Sequence, residues 1–230
     1  ALALPGSVRR TLIGFMGGAA GLVGLRLASE AVRADAQAQV LLVNVELGSL
    51  HLRERHRLPD LLPFLLVGDG ASAALVGSEP RGAELLGFHT ALLPNSRDLL
   101  GGSVGDNGFE MRFSPLVPGR VAEALLASRA ADGTTALLGP DPLPTRGAWA
   151  VHAGSATVLD AVQRSLVLPP AALRASRQVL HDVGNLSSAS VLFALRHILA
   201  ESRPGEPGLA LALGPGLTAE SMRFRMTGLS

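Results

Sequence analysis

The 230-residue chain contains no cysteine. That excludes a disulfide, a cysteine-ligated zinc and a cysteine nucleophile within it. It does not fix the compartment. Lysine is absent too, so all 20 Lys/Arg positions are arginine. The arginines are scattered, the formal net charge is only +1, and aromatics make up 3% of the chain. A nucleic-acid surface needs a basic stripe with stacking side chains, so it is not indicated. Long apolar runs are also missing. None reaches the roughly 18–20 residues of a membrane-spanning helix.

What is present suits a buried core. The chain is 47% hydrophobic, with a mean hydropathy of +0.33. That fits one large domain or two small ones. Such apolar character suits an α/β fold whose central strands are covered on both faces.

The N-terminal region imitates an export signal. Ser7-Val-Arg-Arg-Thr-Leu-Ile13 precedes an apolar stretch from Gly14 to Leu25, and Arg33-Ala-Asp-Ala36 follows. Against export, Leu22, Leu25, Ala28 and Val32 continue with Glu30 and Arg33 in a helical pattern. A strand-like Val40-Leu-Leu-Val43 comes next. The chain is therefore expected to stay cytoplasmic. Its first residues, Ala1-Leu-Ala-Leu-Pro5, read as the tail of a preceding element, so an N-terminal portion is expected to be missing.

Alternating strands and helices argue for a layered α/β domain. Adjacent Gly17 and Gly18 allow a sharp turn opening a helix to about residue 33. Residues 39–46 read as a buried strand, 58–66 as a helix, and 73–76 as a strand after the tight turn Gly68-Asp69-Gly70. Residues 77–81 are turn-rich and divide the chain into expected units 1–79 and 80–230. Residues 85–93 read as a strand and 94–106 as a loop. Residues 108–114 alternate, with Phe109, Met111 and Phe113 on one face. Helices are expected at 118–129, 155–166, 170–183 and 187–201, the last opened by Ser187 and Ser188. A short strand at 148–151 ends at His152. Residues 208–213 and 221–226 read as an antiparallel pair around Gly214-Pro215-Gly216.

His152 and Asn185 stand out chemically. Taken alone, a histidine in apolar surroundings is more often an ordinary core residue, and an asparagine more often caps a turn. Both sit at element ends, where functional residues gather in α/β folds. Two neutral donors aimed at one oxygen make an oxyanion hole, often a large catalytic contribution. His51, Glu54 and His56 could be drawn as metal ligands, but three interleaved arginines oppose a bound cation. Gly68-Asp-Gly70 is not a phosphate loop, because no Gly-Lys-Ser/Thr follows. Asp69 is expected to tie down its own turn.

Seven stretches, in order, carry a resemblance. They are Arg9-Arg-Thr-Leu-Ile-Gly-Phe-Met-Gly17, Leu42-Val-Asn-Val-Glu-Leu-Gly-Ser-Leu-His-Leu52 and Gly68-Asp-Gly-Ala-Ser-Ala-Ala-Leu-Val-Gly77. Then come Gly108-Phe-Glu-Met-Arg-Phe-Ser-Pro-Leu-Val-Pro118, Trp149-Ala-Val-His-Ala-Gly154, Gly184-Asn-Leu-Ser-Ser188 and Gly214-Pro-Gly-Leu-Thr218. Any one is weak; together they resemble the type III polyketide synthases, the chalcone and stilbene synthase family, in its bacterial form. The resemblance implies a thiolase-like layered α-β-α-β-α fold. It also implies an acyltransferase acting on acyl-CoA and malonyl-CoA, with no cofactor beyond those coenzyme A thioesters.

By that resemblance His152 and Asn185 match the family's catalytic histidine and asparagine. The family's nucleophilic cysteine falls on Gly18, at a helix N-terminus that would stabilise a thiolate. A glycine there can form no acyl-enzyme. Gly48 stands where bacterial relatives often carry a second cysteine. Natural loss of the site and an altered sequence both remain open. Val67 and Met111 match cavity-lining gatekeeper positions, with an ordinary core role as the alternative. Gly154 and Thr157 match positions along the pantetheine arm. Gly214, Pro215 and Gly216 match the loop shaping the acyl cavity.

Three functions follow as expectations. One is a polyketide synthase-like acyltransferase deficient in condensation. Another is a malonyl-CoA decarboxylase remnant using His152 and Asn185. The third is a non-catalytic pseudoenzyme. The resemblance further implies a homodimer, or a heterodimer with an intact synthase.

Overall fold

The computed structural model describes residues 3–52, 61–106, 108–129, 136–144 and 147–228. Its centre is a four-stranded sheet in the order β3 (Gly82–Leu92), β8 (Thr218–Gly228), β7 (Pro207–Gly214), β6 (Ala148–Val151). Strands β6 and β7 run parallel, with Trp149 opposite Leu209 and Val151 opposite Leu211. The other two pairings are antiparallel.

Strands β6 and β7 are apolar on both faces, so each face recruits a helical layer. Trp149, Val151, Leu209, Leu211 and Leu213 point one way. There they join Val121 and Leu125 of α2 (Val117–Ala127) and Leu159 and Val162 of α3 (Ala156–Ser165). Ala150, Ala210 and Ala212 point the other way. They meet Leu22 and Leu25 of α1 (Ala20–Ala34), Val179 of α4 (Arg174–Val183) and Leu195 and Ile198 of α5 (Ser190–Glu201). The alanines on this face let the helices sit close, and burial of both faces supplies the main stabilisation.

Beyond α1 and α5 lies a second, two-stranded sheet. Strand β1 (Val40–Leu47) pairs antiparallel with β2 (Asp69–Val76), Asn44 opposite Ser72. Leu42, Ala74 and Val76 face the helices. Leu41, Val43, Val45 and Leu75 form the exposed outer face. The layer order is helix, sheet, helix, sheet. A hairpin of β4 (Leu100–Gly105) and β5 (Gly108–Phe113) stands apart from both sheets.

Most elements fall where the sequence pattern put them. The expected strand at 148–151 is β6, and the antiparallel pair is β7 and β8. Four details differ. Residues 94–106, read as loop, contain β4, because Gly101, Gly102 and Ser103 supply no apolar alternation to read. Asp69 and Gly70, read as a turn, already belong to β2. The helix expected from 170 begins at Arg174, after Pro169 and Pro170. The segment expected as a helix over 58–66 is a 3₁₀ turn at Leu62–Leu66, and its residues 58–60 lie outside the described residues. Among the described residues no helix is long and apolar enough to cross a membrane.

Candidate active site

The site forms where β6, β7, α1 and the α4–α5 connection converge. His152 follows β6 directly, and its backbone N–H donates to the Leu211 carbonyl at 2.8 Å. That bond extends the parallel pairing by one residue and aims the imidazole off the sheet end. The side chain is buried. Burial lowers its pKa from 6.5 to about 4, because the charged form loses its hydration. The imidazole is therefore neutral at pH 7. Its Nδ1 is buried without a hydrogen-bond partner.

Gly18 lies against that ring. It sits in the 3₁₀ turn Gly17–Ala19 that leads into α1, at the positive end of the helix. A Cβ on residue 18 would come within 2.5 Å of His152 Nε2, 2.6 Å of Cδ2 and 2.8 Å of Cε1. The imidazole thus occupies the space that a side chain on residue 18 needs. Gly17 adopts φ +51°, a left-handed conformation that favours glycine.

Asn185 closes the opposite side. Its backbone N–H donates to the Leu66 carbonyl at 2.7 Å, and its carbonyl accepts from the Gly68 N–H at 3.0 Å. These bonds tie it to the chain on either side of Val67. The side chain is oriented by two bonds as well. Its Oδ1 accepts from the Ser187 N–H at 2.9 Å, and its Nδ2 donates to the Gly154 carbonyl at 3.2 Å. Gly154 in turn borders His152, whose Nε2 would lie 3.3 Å from a Cβ placed there. Gly18, His152, Gly154 and Asn185 therefore form one contiguous wall.

That wall belongs to a cleft of about 2860 Å³, which Val67, Met111, Thr157, Pro215 and Gly216 also line. Gly214 does not line it. A Cβ there would meet the Met16 carbonyl at 2.5 Å, so Gly214 instead lets the end of β7 pack under the Gly18 turn. Thr157 joins the first turn of α3, where Ser155 caps the helix by accepting from the Val158 N–H. Val67 has a second contact. A Cβ on Gly48 would lie 2.1 Å from its Cγ1, so a side chain at 48 is incompatible with this Val67 position.

Two sequence readings are corrected here. Asp69 does not tie down its own turn. Its carboxylate accepts from the N–H and the hydroxyl of Ser49, at 2.7 and 2.6 Å, and these bonds lower its pKa. Ser187 and Ser188 form a 3₁₀ turn ahead of α5, and Ser190 Oγ takes the bond from the Leu186 N–H. Glu54 and His56 of the metal alternative lie outside the described residues. The sequence reading missed Glu46, Asn44 and Ser188, which form a hydrogen-bonded cluster on the same cleft. Two polar residues, Asn44 and Glu46, in the otherwise apolar Val40–Leu47 were the available signal.

The buried imidazole makes folding pH-dependent. The pKa of His152 is lower folded than unfolded, so its contribution is fully present above pH 6.5. It is lost as pH falls from 6.5 through about 4. The difference amounts to about 3 kcal/mol. Denaturant titrations from pH 7.5 to 4 should show that loss, and His152→Asn should flatten it. Parallel curves for the two proteins would show that His152 is solvated.

Residues 84–227 match the chalcone and stilbene synthases, C-terminal domain. Residues 1–80 match the N-terminal domain of the same synthases. Bisdemethoxycurcumin synthase of Oryza sativa subsp. japonica is 32% identical over 250 residues, covering 98% of this chain and 60% of that protein. The 1,3,6,8-tetrahydroxynaphthalene synthase of Streptomyces peucetius subsp. caesius is 35% identical over 221 residues, covering 93% and 57%. The crystal structure of the Streptomyces coelicolor A3(2) tetrahydroxynaphthalene synthase, a bacterial type III polyketide synthase, superposes with a TM-score of 0.86 at 29% identity. It covers 98% of this chain and 65% of that one. The chain thus spans about 60% of the length of the curated relatives it matches. Its fold is the thiolase-like α/β fold of these enzymes, and the chain belongs to the chalcone and stilbene synthase family of type III polyketide synthases.

Proposed function

We propose that this chain binds acyl-CoA and malonyl-CoA thioesters in the cleft and decarboxylates malonyl-CoA without condensing the product. The observation that carries this reading is the shared wall of Gly18, His152 and Asn185. It has two neutral donors and no sulfur. The neutral imidazole and the Asn185 amide polarise the thioester oxygen. The bond between the malonyl carboxylate and its methylene breaks, and its electrons move into the thioester as an enolate. Carbon dioxide leaves, and the enolate carbon takes a proton from water to give acetyl-CoA. Gly154 and Thr157 flank the pantetheine arm, while Val67, Met111, Pro215 and Gly216 bound the acyl space. Condensation needs a second acyl group held on residue 18, which glycine cannot hold.

Acetyl-CoA measured by chromatography, alongside the intact protein mass, tests this. Acetyl-CoA should accumulate above the buffer control while the protein mass stays unchanged. An acylated protein or a polyketide product would overturn the condensation deficiency. Release at the buffer rate would remove the decarboxylase reading.

The exposed apolar face of Leu41, Val43, Val45 and Leu75 favours a second reading, a non-catalytic chain paired with itself or with an intact synthase. Sedimentation of the isolated protein as a monomer, with no co-purifying synthase, would count against it.

A further inference from the structure

We infer that Glu46 is a positioning residue for Asn185, acting through Ser188. This rests on the reading of Asn185 as a donor to the thioester oxygen. Glu46 lies on β1, 142 residues from Ser188 in sequence. Its Oε1 accepts two hydrogen bonds from that one residue, from the backbone N–H at 3.2 Å and from the hydroxyl at 2.5 Å. The same hydroxyl accepts from Asn44 Nδ2 at 3.0 Å, which leaves its proton free for Glu46. Asn44 and Ser188 are buried.

The clamp falls at a place that needs one. Ser188 lies in the 3₁₀ turn ahead of α5, where backbone N–H groups have no partner inside the helix. A carboxylate at this end is favoured by the helix dipole and makes strong, charge-assisted bonds. Next to it, Ser187 is held at φ +47°, an uncommon conformation for a residue other than glycine. The Ser187 N–H is the group that Asn185 Oδ1 accepts. An amide has one oxygen and one nitrogen on the same carbon. Fixing Oδ1 on Ser187 therefore aims Nδ2 at the Gly154 carbonyl and the cleft.

The turn is thus held at both ends. Its start is bonded to Leu66 and Gly68, and its end to Glu46. Releasing the second end frees the Ser187 N–H to move and the amide to rotate. Glu46 contributes through Ser188 and the turn it holds.

The test uses the full chain, labelled with ¹⁵N. The side-chain amide signals of Asn185 are identified by their loss in Asn185→Ala. They should keep their distinct positions in Glu46→Gln, whose carbonyl oxygen can accept both bonds, and collapse towards mobile-amide values in Glu46→Ala. Unmoved signals in a folded Glu46→Ala would overturn the inference. If Glu46→Ala does not fold, Ser188→Ala replaces it. That variant removes the hydroxyl bond without altering β1, and unmoved Asn185 signals there would equally overturn it.

In the decarboxylation assay, Glu46→Ala should lose about 10- to 100-fold in kcat with KM unchanged. Glu46→Gln should restore most of it, and the double variant with Asn185→Ala should be no slower than Asn185→Ala alone. An additive loss in the double variant would show that Glu46 acts independently of Asn185, against the inference. Absence of decarboxylation in the unaltered chain, with the Asn185 signals moving as expected, would sink the proposed activity and leave the positioning role standing.

Discussion

Gly18→Cys, incubated with an acyl-CoA, should gain the mass of one acyl group, while the unaltered chain should gain none. The cysteine would stand in the 3₁₀ turn that leads into α1, where the helix dipole favours a thiolate. The imidazole would be its neighbour. As the chain folds now, Cβ of residue 18 would lie 2.5 Å from His152 Nε2, too close for any real contact. The ring must therefore swing away. It is the far end of a side chain, and no hydrogen bond on Nδ1 holds it back. Overpacking of this kind costs about 1–3 kcal/mol, so the denaturant midpoint should fall as acylation appears. A thiol that neither acylates nor alkylates faster than free cysteine at pH 7 would show that the wall cannot accommodate a nucleophile. Loss of the sulfur would then not be the sole lesion.

His152→Ala should slow malonyl-CoA decarboxylation by about 10²–10³-fold, the usual loss when one oxyanion donor is removed. KM should change little, because the donor acts on charge that develops only as the carboxylate leaves. The substitution also removes the ring that fills the space beside Gly18. The variant should therefore bind small apolar molecules there better than the parent. Progress curves at saturating malonyl-CoA decide the main point. Equal slow release by the parent and His152→Ala would mean that the imidazole does no chemistry, and the non-catalytic reading would gain.

Much of this site was legible in the sequence because its parts are local. His152 ends a four-residue apolar strand, and a strand followed by a glycine turn is written in neighbouring residues. Asn185 follows a helix and Gly184, again a short-range pattern. The order of the seven family stretches identified the family without any contact information. The Gly214–Gly216 loop was legible as a close-approach point but not as to what it approaches. Gly216 lines the cleft, whereas Gly214 packs under the Met16 carbonyl. The β4–β5 hairpin was missed because glycine and serine carry no alternation. Asp69 was misassigned because its partner, Ser49, lies 20 residues away.

By itself the sequence determined the layered α/β class, the absence of a thiol and the family, and it singled out His152 and Asn185 as candidates. These depend on residue type and short-range periodicity, which one chain displays in full. The tertiary structure alone decided three other matters. It put the imidazole into the space left by Gly18, joined Glu46 to Ser188 across 142 residues, and left His152 neutral by burying it. Each depends on which surfaces pack together. Hydrogen-bond partners and desolvation are set by distance in space, and separation along the chain does not encode that distance.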